Sequence, residues 1–113
     1  MKRLIVLGAS VRAAAFSAIS SSYAPFASDL FADSDLAAVC QTVRISRYPH
    51  EFLKVLSAAP DAPWLYTGGL ENYPRLINRL AKLRPLLGNT ASVLREVRDP
   101  ANLHHTAELA GCR

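Results

Sequence analysis

Leu4-Ile5-Val6-Leu7-Gly8-Ala9-Ser10-Val11-Arg12-Ala13 decides the reading of this chain. Four consecutive apolar residues suit a strand covered on both faces of a parallel sheet, Gly8 permits a tight turn, and Ser10 is placed to cap a following helix. Val11, Ala14, Ala15, Ala18 and Ile19 then recur at helical spacing, giving a small-residue face that can lie close on a sheet.

The same alternation continues downstream. Tyr23-Ala24-Pro25 makes the return, and Phe26-Ala27-Ser28 is expected as a second strand ending at Asp29, with Pro25 tolerated only at a strand start or on an edge. Asp29 to Asp35 forms an acidic loop, and Thr42-Val43-Arg44-Ile45 is a short β-prone piece. Pro49 stands where a first helical residue belongs, and Phe52, Leu53, Leu56 and Ala59 give that helix its apolar stripe. Trp64-Leu65-Tyr66 reads as a strand entering a second glycine turn, Thr67 to Asn72. Asn72 and Pro74 open a helix with Leu76, Ile77, Leu80 and Leu83 inward and Arg75, Arg79 and Lys82 outward. Leu86-Leu87-Gly88-Asn89 fits one short strand with its turn, Ala91 to Val97 a small helix, and Asp99-Pro100 the start of a last one. Strand and helix in alternation predict an α/β fold: a mostly parallel sheet of about four strands with helices on both faces.

A length of 113 residues with 50% hydrophobic content makes one domain with a real core. The net charge of +4 comes from scattered Lys and Arg, and without aromatic or loop partners it argues against a nucleic-acid partner. Met1-Lys2-Arg3 before the apolar run imitates a signal peptide, but Arg12 interrupts the pattern. No apolar run reaches the length of a membrane span, so the cytoplasm is the expected compartment. Cys40 and Cys112 match no metal or redox spacing and are read as free thiols.

In parallel α/β sheets ligands bind outside the carboxyl ends of the strands, which selects three loops: Gly8 to Arg12, Asp29 to Asp35, and Thr67 to Asn72. The first offers backbone N–H groups at a helix start for phosphate or carboxylate, with Arg12 as a bidentate clamp or simply a solvated residue. Asp29 stands about 20 residues after Gly8, near where dinucleotide folds place a ribose-binding acid, but the three-glycine fingerprint is missing. Asp29, Asp33 and Asp35 read as a divalent-cation loop or as solvated turn residues. At Gly68 and Gly69 the backbone can approach a ligand that Glu71 and Asn72 orient; equally, Asn72 can cap the next helix. His104 and His105 point about 100° apart on a helix and so cannot share a zinc ion. No catalytic triad or dyad, and no metal set, assembles from these spacings.

Taken together, Leu7 to Ala13, Asp29 to Asp35, Tyr66 to Asn72, Leu87-Gly88-Asn89 and Val97-Arg98-Asp99-Pro100 resemble the N-terminal domain of ATP-grasp carboxylate-amine ligases. The likeness is to the bacterial ATP-grasp proteins found alongside tetrahydromethanopterin-linked one-carbon genes. It implies a three-layer Rossmann-like domain over residues 1–98 that supplies part of a substrate pocket, and a connection over 99–113 toward ATP-grasp domains. In that family ATP and Mg²⁺ are gripped by those further domains, and an acyl-phosphate made from a carboxylate is attacked by an amine. The resemblance implies substrate-facing roles for Gly8, Ser10, Arg12, Asp29, Gly68, Gly69, Glu71 and Asn72. This chain has no counterpart of the family's ATP lysine, metal acids or catalytic arginine, so alone it is expected to be inactive, with neither cofactor nor catalytic residue of its own. Its expected partners are a small carboxylate or amine and the ATP-grasp domains. The rival readings are a stand-alone module binding a nucleotide or small anion on the Gly8 turn, and a homodimer formed through Leu103 and Leu109 of the final helix.

Overall fold

The computed structural model describes residues 2–89. The small helix at Ala91 to Val97, the helix from Asp99, the boundary at residue 98, the histidine pair, Leu103, Leu109 and Cys112 lie outside the described residues. Within them the order is β1 (Lys2–Leu7), α1 (Arg12–Ser20), β2 (Tyr23–Asp29), α2 (Ser34–Ala37), β3 (Gln41–Arg44), α3 (Phe52–Ala58), β4 (Trp64–Tyr66), a 3₁₀ turn (Leu70–Asn72), α4 (Pro74–Leu83) and β5 (Leu86–Asn89).

The five strands form one all-parallel sheet in the order β3-β2-β1-β4-β5. This is a three-layer, Rossmann-like α/β fold with one strand more than the four expected. The extra strand is β3, which runs one residue ahead of the β-prone piece Thr42 to Ile45 and has only a four-residue ladder with β2 to hold it.

Alternation along β1 sorts the core into two halves. Ile5 and Leu7 join Phe26, Phe52, Leu56, Trp64, Leu76 and Leu80 on the face covered by α3 and α4. Leu4 and Val6 join Val11, Ala15, Ala18, Ala27, Leu36 and Leu65 on the face covered by α1 and α2. Successive strand side chains point to opposite faces, so a strand apolar at every position must be covered on both. Burying each large side chain contributes about 1.5–3 kcal/mol.

Four local expectations are corrected. Tyr23, Ala24 and Pro25, expected as the return before the strand, already belong to β2; pairing with β3 begins only at Phe26, so Pro25 has β1 on one side and stands on a local edge, where a proline is tolerated. Pro49 belongs to a turn that precedes α3, and the helix begins at Phe52. Tyr73, with Pro74 as the first helical residue, stands at the head of α4, so Asn72 ends the 3₁₀ turn and does not cap the helix. Leu83, expected to face inward, is exposed as the last residue of α4, just before the chain becomes extended at Arg84.

Arg84 and Trp64 tie the α3/α4 side together. The Trp64 indole Nε1 donates to the Arg84 carbonyl at 3.0 Å, while the Arg84 guanidinium donates to the carbonyls of Ala59 (2.7 Å) and Pro60 (3.1 Å). A fully buried Trp thereby keeps its N–H paired, and the carbonyls at the end of α3 receive donors.

Candidate functional site

The strand order reverses between β1 and β4, and this is where an open α/β sheet places a ligand crevice. The two glycine turns follow these two strands. Leu7 and Tyr66 are register partners, and the Thr67 N–H donates to the Leu7 carbonyl at 3.0 Å. The contact between the turns is tight, because a Cβ on Gly8 would overlap Thr67 Oγ1 and lie 2.9 Å from Thr67 Cβ. Gly8 is therefore needed for close approach to β4.

Asp29 holds the first turn from the end of β2. Its side chain is fully buried, and it accepts three backbone N–H bonds: Val11 to Oδ2 at 2.9 Å, Phe31 to Oδ1 at 2.9 Å and Ala32 to Oδ1 at 2.8 Å. A carboxylate thus stands at the mouth of α1, the place a phosphate would otherwise take. Ser10 is exposed and makes no cap; Val11 occupies the capping position, and Asp29 supplies the acceptor from a distant strand. The same carboxylate pins the β2 exit, where Ala32 has a positive φ of 48° and Phe31 is 59% exposed.

Arg12 is drawn outward. Its Nε donates to Asp35 Oδ2 at 2.9 Å and its second guanidinium nitrogen to the same oxygen, while the guanidinium carbon lies 5.1 Å from the Phe16 ring centre. The hydrogen bond with Arg12 holds the Asp35 carboxyl below its usual range, and its counterpart raises the Arg12 pKa. Asp29, Asp33 and Asp35 do not converge: one is locked on amides and another on Arg12. Among the described residues no group of three His, Cys, Asp or Glu side chains is placed to hold a metal ion.

At the second turn Gly69 has φ +102°, which favours glycine. Glu71 folds back so that its Oε2 accepts the Gly69 N–H at 2.8 Å, closing the turn. Gly68 is exposed with open space where a Cβ would stand. Beneath this turn lies Tyr48, a residue the spacing rules did not select. A Cβ on Gly69 would stand 3.4 Å from Tyr48 Oη, and that hydroxyl is buried with no hydrogen-bond partner among the described residues. Burial, then the neighbouring Tyr73 and Glu71, push the Tyr48 hydroxyl pKa up. An unpaired buried hydroxyl costs about 1–3 kcal/mol.

Tyr48 packs edge-on against Phe52 and Tyr73, with ring centres 5.8 and 6.1 Å apart, and Tyr73 packs edge-on against His50 at 6.3 Å. His50, Asn72, Tyr73, Pro74, Arg75 and Leu76 line an open groove of about 300 Å³ at this carboxyl edge. The turn leading to it is fastened by Glu51, whose Oε1 accepts the N–H groups of Ser46 (2.9 Å) and Arg47 (3.0 Å); these bonds lower the Glu51 pKa. A larger cleft of about 360 Å³, between Arg3, Tyr23, Pro25, Val39, Cys40 and Pro60, opens at the opposite, amino edge of the strands. Cys40 carries a free, half-buried thiol there.

Of the eight residues singled out, Gly8, Gly68, Gly69, Glu71 and Asn72 stand in the carboxyl-edge turns, Asp29 is the last residue of β2, and Ser10 and Arg12 are at the exposed head of α1. A glycine turn signals its position in sequence; a tyrosine on one loop and a histidine on the same loop meeting Tyr73 from another do not. Among the described residues no helix is long and apolar enough to cross a membrane. Compared with protein-family models, curated proteins and solved structures, the chain matches none of them.

Proposed function

We propose that this chain is the substrate-side domain of an ATP-dependent carboxylate-amine ligase of the ATP-grasp class, inactive by itself. One observation carries the reading: the two glycine turns on which the resemblance rests end β1 and β4, the neighbouring strands at the reversal of the sheet. ATP and Mg²⁺ belong in this reading to domains beyond the chain, where they supply phosphoryl transfer to the carboxylate. The part of this domain is to hold and orient a small carboxylate or amine at the carboxyl edge. A free Cys40 thiol is consistent with a cytoplasmic setting.

The rival module, binding an anion on the Gly8 turn, has less in its favour. Asp29 already places a negative charge on the Val11 N–H, and Asp35 engages Arg12. An incoming anion would have to compete with both.

The reading is tested by the mass of the native protein in the cells that make it, detected with an antibody against this domain. The expected species is roughly three times larger than this chain or more, in keeping with added domains of ordinary size. A species at the mass of the chain itself would refute it.

A further inference from the structure

The two glycine turns differ in how fully their polar groups are paired. At the first, Asp29 takes three amides and Arg12 is held by Asp35. At the second, Gly69 stands between a paired group and a bare one. Glu71 Oε2 accepts its N–H at 2.8 Å, while the Tyr48 hydroxyl, 3.4 Å from where a Cβ on Gly69 would stand, is buried with no partner among the described residues. After burial and Tyr73, the charge of Glu71 also raises the Tyr48 pKa, so this carboxylate lies within electrostatic reach of a hydroxyl it does not meet.

The chain on either side is fixed. The Thr67 N–H donates to the Leu7 carbonyl at 3.0 Å, Leu70 is fully buried, and the Gly69 carbonyl accepts the Asn72 N–H at 3.2 Å. What is left to move is the peptide plane between Gly68 and Gly69. Gly68 is exposed with open space around it, and Gly69, at φ +102°, can take the corresponding negative φ without strain.

We infer that this peptide plane is a two-state latch. In the state described, Glu71 closes it through the Gly69 N–H and leaves Tyr48 unpaired. In the second state the plane turns over, which brings the Gly68 carbonyl toward the Glu71 carboxylate and expels it. Glu71 then accepts the Tyr48 hydroxyl, and the Gly69 N–H is free to meet a ligand at the carboxyl edge. An exposed bond is given up for one to a buried hydroxyl, so the two states stand close in free energy. A ligand that accepts the released N–H favours the second state by its differential affinity. Under the ligase reading, on which only this role rests, that ligand is the small carboxylate.

The test is NMR relaxation dispersion with amide hydrogen exchange on the ligand-free chain. Microsecond-to-millisecond exchange is expected at Gly69 and Glu71. Tyr48→Phe keeps the ring but removes the donor; it lowers the second-state population, and slows hydrogen exchange of the Gly69 amide, about tenfold, as expected for one such bond. Gly69→Ala, which disfavours positive φ, raises that population. With Glu71→Ala in place, Tyr48→Phe has no further effect on the amide. A parent chain without exchange at Gly69, or exchange that Tyr48→Phe leaves unchanged, would overturn the latch. Should Gly69→Ala fail to fold, the Tyr48→Phe comparison decides alone. The latch is read on the chain without ligand and the ligase reading on native mass, so either fails without the other.

Discussion

The N–H of Val11 donates to Asp29 Oδ2 at 2.9 Å, joining the head of α1 to the end of β2 through a fully buried carboxylate. With Phe31 and Ala32 on its other oxygen, Asp29 fastens two carboxyl-edge loops at once. Asp29→Ala leaves three amides without this acceptor and is expected to cost about 3 kcal/mol. Asp29→Asn can keep two amides on its carbonyl but turns an NH₂ toward Val11, for a loss of about 2 kcal/mol. Urea unfolding with an unchanged slope and a lower midpoint is the expected result. A variant as stable as the parent would show that Asp29 does not fasten these loops.

Gly8→Ala drives a methyl group into Thr67 and is expected to cost about 2–3 kcal/mol. Thr67→Gly vacates that space. The double variant should be less unstable than the sum of the singles, with a coupling of about 1–3 kcal/mol in the same unfolding assay. Strict additivity would mean that the two turns are not in contact.

Tyr48→Phe removes a buried hydroxyl that lacks a partner and should stabilise the domain by about 1 kcal/mol. It should also change the alkaline limb. A tyrosine whose pKa is raised on folding contributes stability that is present below the ordinary tyrosine range and lost as pH rises through the folded value. The Phe variant should lose less stability there than the parent, as read by melting temperature against pH. A less stable Phe variant would show that the hydroxyl has a partner in solution.

Asp35 and Glu51 govern the acid side. Both have lowered pKa values, through hydrogen bonds from Arg12 and from the Arg47 and Ser46 amides. Their contributions are full above the ordinary carboxylate range and are lost as pH falls through the lower folded values. Glu51→Gln should flatten the acid limb of the melting profile. Asp35→Asn should flatten it most at low salt, because its partner is exposed. An acid limb unchanged by both would remove them from the pH response.

Much of this architecture was legible in the chain. β1 is apolar at Leu4, Ile5, Val6 and Leu7 because both its faces are covered, and that run, with Gly8 and Gly68-Gly69, marks the strands at the reversal of the sheet. Residues 41–44 were harder, because a four-residue edge strand with half-buried Thr42 and Val43 carries little periodic signal. The part of the site formed by tertiary contact was hidden. Asp29 looked like a ligand-binding acid by its distance from Gly8, and its three amide partners come from two loops that only the fold brings together. Pro49 reads as a first helical residue, which puts His50 in a helical turn; in the fold the helix begins at Phe52, and the preceding turn sets both Tyr48 and His50 against Tyr73.

The most direct test of the central claim is ADP release, measured side by side on the isolated 113-residue chain and on the native protein captured with an antibody against it. The chain alone is expected to show no turnover, and the native protein turnover that requires both a carboxylate and an amine. Sustained ATP turnover by the chain alone, or a native protein that releases no ADP with any such pair, would contradict it.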